Sequence, residues 1–127
     1  MIYYSGIFCG SHYEIHKHDI IAVDFDGTLA KTFTPYDPHK VGPPIPKMVA
    51  RVRRLLKSGT KVVILTARMH SSHTPEQLDY TRKLLEAWCK KYLGQKLPIT
   101  AEKHSRMTEI WDDRAKRVVR DKGVFVR

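Results

Sequence analysis

The sequence predicts an α/β fold, a Rossmann-like three-layer sandwich around a central, mostly parallel sheet. Three observations lead there. Short continuous apolar runs, the pattern of strands buried on both faces, recur at residues 19–25, 61–65 and 97–100. Segments with helical apolar spacing separate them, and strands alternating with helices imply parallel pairing through right-handed crossovers. Several runs end in Asp, Thr or Arg, as the strands of open α/β sheets do where a site lies beyond their carboxyl ends.

The elements follow in order. Residues 1–18 contain Tyr3, Tyr4, Ile7, Phe8 and Tyr13 and are expected to form an added edge strand or an arm. His12, His16 and His18 within it read as solvated, because no cysteine or acidic ligand set joins them. The single domain is expected over residues 19–127. Its first strand, residues 19–25, is broken by Asp26, Gly27 and Thr28, and residues 30–44, with four prolines, form a loop. Residues 46–58 carry Met48, Val49, Val52, Leu55 and Leu56 at helical spacing, and Gly59 stops the helix. A second strand covers 61–65 and a loop 67–73. Thr74, Pro75 and Gln77 then write a capping box for a helix that buries Leu84, Leu85, Trp88 and Tyr92 and ends at Gly94. Strands are expected at 97–100 and 109–111, and a last one at 124–126 after a turn at Lys122-Gly123.

A chain of 127 residues fits one domain, and 42% hydrophobic residues exclude a disordered protein. The net charge of +10 favours polyanionic partners, nucleic acid first and acidic membrane surfaces second. Cys9 and Cys89 lie in no metal-ligand spacing and read as free thiols. No run is long enough to cross a membrane, and residues 1–11 lack the pattern of a signal peptide, so a cytoplasmic location is expected.

Chemistry is expected where the strands end. The first ends in Asp24-Phe25-Asp26-Gly27-Thr28, the second in Thr66-Ala67-Arg68, the fourth in Asp112-Asp113-Arg114. If these strands are neighbours, four carboxylates converge on one rim, and such a cluster needs a cation. An all-oxygen set suits Mg²⁺. Asp24 and Asp26 are two residues apart, which on an ideal strand turns both to one face. Gly27 allows the backbone to leave the strand and approach a ligand. Arg68 and Arg114 suit phosphate, and equally suit salt bridges to the aspartates.

Asp24-Phe25-Asp26-Gly27-Thr28-Leu29 after an apolar strand resembles the first motif of the haloacid dehalogenase superfamily. Val63-Ile64-Leu65-Thr66 resembles the second motif, Lys103 lies in the region of the third, and Asp112-Asp113 resembles the fourth. The resemblance implies a Mg²⁺-dependent phosphatase. Asp24 would be the nucleophile and Asp26 the general acid and base. Thr66 would bind phosphoryl oxygens and Lys103 would offset charge, with Lys96 the competitor for that role. Asp24, Asp112, Asp113 and the Asp26 carbonyl would hold the metal, with Gly27, Thr28, Arg68 and Arg114 around the substrate.

Superfamily caps follow the first motif or the helix after the second. Residues 29–45 and 93–102 leave room for neither, so the chain is expected to be capless and open to a large substrate. The phosphatase domain of phage-type polynucleotide kinases is similar in more detail: it shares Asp24 to Ala30, the Pro35-Tyr36-Asp37 loop, Arg68, and Asp112-Asp113-Arg114. The kinase phosphate loop, Gly-x-x-x-x-Gly-Lys-Ser/Thr, is missing here. The expected substrate is a 3′-phosphorylated nucleic-acid end or a nucleotide. A small-metabolite phosphatase and a catalytically idle nucleic-acid-binding module are the alternatives.

Overall fold

The computed structural model describes residues 19–126. The expectations for residues 1–18, including the arm, the histidines and Cys9, lie outside them.

Four parallel strands form one sheet: β1 (Ile20–Val23), β2 (Lys61–Leu65), β3 (Ile99–Thr100) and β4 (Met107–Trp111), in the order β3-β2-β1-β4. In register, Val23 lies opposite Ile64 on one side and Trp111 on the other, so β1, β2 and β4 end together. That alignment gathers the three polar strand ends on one rim. The sheet is the parallel α/β architecture the alternating pattern predicts.

Helix α1 (Pro46–Lys57) begins with proline at its first turn and stops at Ser58-Gly59. Helix α2 (Pro75–Leu93) starts with the predicted capping box: Gln77 N–H donates to Thr74 Oγ1 (3.2 Å) and Thr74 N–H to Gln77 Oε1 (2.8 Å). Gly94, in left-handed conformation, ends it. Two steps in the same direction, β1 to β2 and β2 to β3, put right-handed crossovers on one face. The core agrees, since Val52 of α1 and Leu85 and Trp88 of α2 join Ile21, Val23, Val62 and Ile64 in one cluster. The opposite face carries Ala22, Val63 and Met107. A right-handed return from β3 to β4 belongs on that face, and only residues 101–106 make it. A third, helical layer is therefore not among the described residues.

Residues 24–45 fold back on themselves. Ile45 N–H donates to the Leu29 carbonyl and Lys31 N–H to the Pro43 carbonyl, and Ala30 bridges Pro44. Trp88 pins this excursion through its indole N–H to the Gly42 carbonyl (3.0 Å) and an edge contact with Phe25. Gly42 sits so close to Lys31 that an added Cβ would lie 1.8 Å from its carbonyl oxygen. No cap domain occurs among the described residues.

The strand expectations change in detail: β1 is shorter than 19–25, and β4 starts before 109. The third strand is shorter than 97–100, although the Pro98 carbonyl already accepts from Ile64. The strand expected at 124–126 does not extend the sheet. Val126 N–H donates to the Arg117 carbonyl and Val119 N–H to the Val124 carbonyl, so the segment pairs locally around the turn at Asp121 to Gly123. Three apolar residues after such a turn meet their own neighbours first, and Val118, Val124 and Phe125 stay exposed.

Candidate active site

A cavity of about 610 Å³ opens on the rim above β1, β2 and β4. Asp24, Asp26, Thr66, Arg68, Asp112 and Arg114 all line it, together with Tyr36, His70 and His73. Six residues chosen from three separate stretches of sequence thus meet in one place.

The carboxylates do not form one group of four. Oxygens of Asp24, Asp112 and Asp113 lie within 4.8 Å of one another. Asp26 faces a guanidinium instead: Arg68 Nε donates to its Oδ2 (2.7 Å) and Arg68 Nη2 to its Oδ1 (2.8 Å). Period-two spacing fails here because β1 ends at Val23 and Asp26 already belongs to the turn, bridging Ala30.

The cluster of three is strained electrostatically. Burial, then the nearby charge of Asp112 and the hydrogen bond and charge of Asp113, push Asp24 up to about 7 against the pull of a backbone hydrogen bond at Phe25. Among the described residues, no cationic side chain offsets the carboxylates in that balance. The all-oxygen donors of the trio, crowded enough to raise Asp24, fit a hard divalent ion of the Mg²⁺ kind.

Gly27 and Thr28 build this cluster rather than the cavity wall. Gly27 has φ +85°, and a Cβ there would lie 2.7 Å from Asp113 Oδ2, so glycine lets β4's end close onto the turn. The buried Thr28 hydroxyl accepts from the Asp113 N–H (3.0 Å) and has Asp113 Oδ1 (3.0 Å) and Asp24 Oδ2 (3.4 Å) within reach of its own proton. Thr28, expected beside the substrate, ties two strand ends together in this structure. Asp112 Oδ1 accepts from the Arg114 N–H (2.8 Å), which turns the chain there.

Arg68 is spoken for. Its side chain is 5% exposed, and beyond Asp26 it donates to the carbonyls of Lys40 (2.9 Å) and Pro38 (3.3 Å). Burial opposes its charge, but the hydrogen bond and charge of Asp26 outweigh burial and raise its pKa. The salt-bridge reading of Arg68 holds. Arg114 is exposed on the cavity wall. Thr66 is buried, caps the turn Ala67–Met69 by accepting from Arg68 N–H (3.2 Å), and lines the cavity.

Lys103 is exposed and does not line the cavity, and Lys96 lines a different cleft at the opposite edge of the sheet. Among the described residues, neither candidate lysine contributes to the environment of Asp24. Tyr36 had no role assigned from the sequence, yet its ring lies 5.1 Å from the Arg68 guanidinium carbon and lines the cavity. The one signal for it was an aromatic residue inside the Pro35-Tyr36-Asp37 loop. Cys89 is a free, buried thiol, pushed up to about 12 by burial, which keeps it inert.

No family model matches this chain. No curated protein matches it either. Among solved structures, a conserved protein from Bacteroides thetaiotaomicron is similar, with 24% identity, a TM-score of 0.49 and 76% of each chain covered.

Proposed function

We propose that this chain is a Mg²⁺-dependent phosphohydrolase that works through an aspartyl phosphate on Asp24. The observation that carries the reading is the uncompensated trio of Asp24, Asp112 and Asp113 at the mouth of a cavity on the strand-end rim. The motif resemblance to the haloacid dehalogenase superfamily supports the same chemistry. Asp24, Asp112, Asp113 and the Asp26 carbonyl would hold the ion. Bound there, Mg²⁺ would keep Asp24 ionised and neutralise phosphoryl charge.

In the first half-reaction an Asp24 carboxylate oxygen bonds to phosphorus while the ester P–O bond breaks, and the leaving oxygen takes its proton from Asp26. In the second, Asp26 accepts a proton from water, whose oxygen attacks phosphorus and frees Asp24 and phosphate. Both Asp26 oxygens accept from Arg68 in the structure, so that pairing has to give way for the proton transfer of the first half. Thr66 and Arg114 are the groups available to the phosphoryl oxygens.

A capless cavity and a chain of net charge +10 favour a 3′-phosphorylated nucleic-acid end or a nucleotide over a small-metabolite phosphate ester, which carries fewer negative charges than a strand. Among the described residues no helix is long and apolar enough to cross a membrane, and a cytoplasmic setting is part of this reading.

The test is hydrolysis of a generic phosphate ester with Mg²⁺ and with excess chelator. Turnover restored by Mg²⁺ supports the reading, and full turnover in chelator sinks the metal. A panel of 3′-phosphorylated oligonucleotides, nucleotides and sugar phosphates then ranks substrates. Preference for sugar phosphates would put the small-metabolite enzyme in place of the nucleic-acid one.

A further inference from the structure

Helix α1 carries Lys47, Arg51, Arg53, Arg54 and Lys57 and no acidic residue in its 12 positions. All five are exposed. The apolar residues of the helix are spent on the core: Val52 is buried there, and Met48, Val49, Leu55 and Leu56 pack against it. At 100° per residue, Lys47, Arg51 and Arg54 (i, i+4, i+7) fall on one outward stripe. They therefore form a cationic line along the helix, with a rise of about 1.5 Å per residue between its ends.

Nothing within the described residues neutralises this line. The ion pairs there are Arg68–Asp26 and Lys83–Asp79, neither of them on α1. Arg53 donates to the Tyr92 carbonyl and Arg51 contacts the Met48 sulfur, so their positive charges are left without a carboxylate. Lys47 also sits in the first turn, where the helix dipole disfavours a cation and where no acidic residue offsets it. Beside the second half of α1 a concave cleft of about 450 Å³ is lined by Arg53, Arg54, Lys57 and Gln95. Four of the 13 acidic residues are gathered at the rim, so the rest of the surface is more basic than the net charge conveys.

We propose that the outward face of α1 is a binding site for the phosphodiester backbone of nucleic acid, separate from the catalytic cavity. It rests on the nucleic-acid reading of the substrate and deepens it, by naming where the strand is gripped away from its reacting end. Helix α1 follows the 24–45 excursion, so Lys47 stands at the rim end and Lys57 at the opposite edge of the sheet. An anionic membrane is the weaker partner, because interfacial helices insert an apolar face and that face of α1 is in the core. Backbone contacts of this kind position a strand without reading its sequence.

The test is fluorescence anisotropy of the full chain with a labelled single-stranded oligonucleotide that lacks a terminal phosphate, across a salt series. One variant removes the stripe (Lys47→Gln, Arg51→Gln, Arg54→Gln). A second removes three charges elsewhere (Lys83→Gln, Lys90→Gln, Lys116→Gln). The stripe variant should lose at least about tenfold in affinity at low salt, and its log–log salt slope should flatten by about 2. The control variant should change much less. Equal losses in both variants overturn the site in favour of diffuse net charge, as does wild-type binding by the stripe variant. Binding to phosphatidylserine vesicles with none to the oligonucleotide overturns the choice of partner. Hydrolysis of nitrophenyl phosphate, followed in parallel, should be unchanged in the stripe variant. A wild-type chain that binds the oligonucleotide through the stripe but hydrolyses no ester refutes the phosphatase and leaves this site standing.

Discussion

Asp24 and Asp26 leave the same strand end two residues apart, and their surroundings differ in sign. Asp26 has both oxygens held by the Nε and Nη2 edge of a buried guanidinium that is itself fixed by two carbonyls. Asp24 has two further carboxylates for neighbours and a pKa pushed up to about 7. One acid is paired with a cation, and the other is crowded by like charges that raise its pKa. The fold does this with few parts: Gly27 and Thr28 draw Asp113 towards Asp24, while the Pro38 and Lys40 carbonyls draw Arg68 under Asp26. A fold that pairs one acid and crowds the other is what the proposed cation site at Asp24 requires.

The sharpest way to break the comparison is at Asp24. Asp24→Asn keeps the shape and removes the proposed nucleophile, so turnover should fall by more than about 1,000-fold while the protein stays folded. Steady-state rates beside a thermal melt check both halves of that statement. Appreciable turnover in the variant would remove the covalent mechanism.

The Arg68 clamp should give the next largest effects. Arg68→Ala leaves Asp26 without its partner and strips two carbonyls of a donor. Stability should fall by about 3 kcal/mol, the scale for breaking a largely buried pair, as read by denaturant unfolding. Pairing it with Asp26→Asn should recover part of that loss, and no recovery would mean that Arg68 matters through the 24–45 excursion alone. Asp26→Asn by itself should slow hydrolysis of an alkyl phosphate by about 100-fold or more, and that of nitrophenyl phosphate by less, because nitrophenolate leaves without a proton. Equal losses would take the acid role from Asp26.

The open charge should also appear as a pH dependence. Asp24 moves from an ordinary 3.8 to about 7 on folding, so the folded chain binds more protons than the unfolded one between those values. Stability without metal should therefore fall as pH rises from about 4 to 7 and level off above, with no such slope in Asp24→Asn. Mg²⁺ should raise the melting temperature more at pH 8 than at pH 5, because at pH 5 a proton competes for the same oxygens. A melting temperature flat in pH without metal would mean that Asp24 is already compensated.

Much of this was legible in the sequence because it depends on local rules. The capping box at Thr74 and Gln77, the stop at Gly94 and the apolar runs of β1 and β2 are decided within a few residues. The convergence of Asp24, Thr66 and Asp112 follows from parallel strands that end together. What stayed hidden depends on contacts across the chain. Arg68 could grip phosphate or an aspartate until the 24–45 excursion supplied two carbonyls to hold it. Thr28 read as a substrate contact because its partner, Asp113, is 85 residues away. The strand expected at 124–126 had the right composition, but local pairing with 117–119 took it away from the sheet.

The smallest expected effect tests the motif lysine. The superfamily resemblance assigns Lys103 to offset the charge of Asp24, yet Lys103 is exposed on the 101–106 connection, away from the cavity wall, while Arg114 lines the cavity. Lys103→Ala should therefore change kcat/KM within about threefold, the range of an ordinary surface substitution. Arg114→Ala should cost more, and chiefly on substrates whose phosphate it can reach. The order of the two matters more than either size. If Lys103→Ala costs 100-fold and Arg114→Ala little, the 101–106 connection carries its lysine to Asp24 in the working enzyme. The contrast between the filled and the open carboxylate would then describe only the resting chain. If the order is Arg114 over Lys103, the charge that answers Asp24 comes from the substrate side and from the metal proposed there, and the 101–106 connection has no part in it.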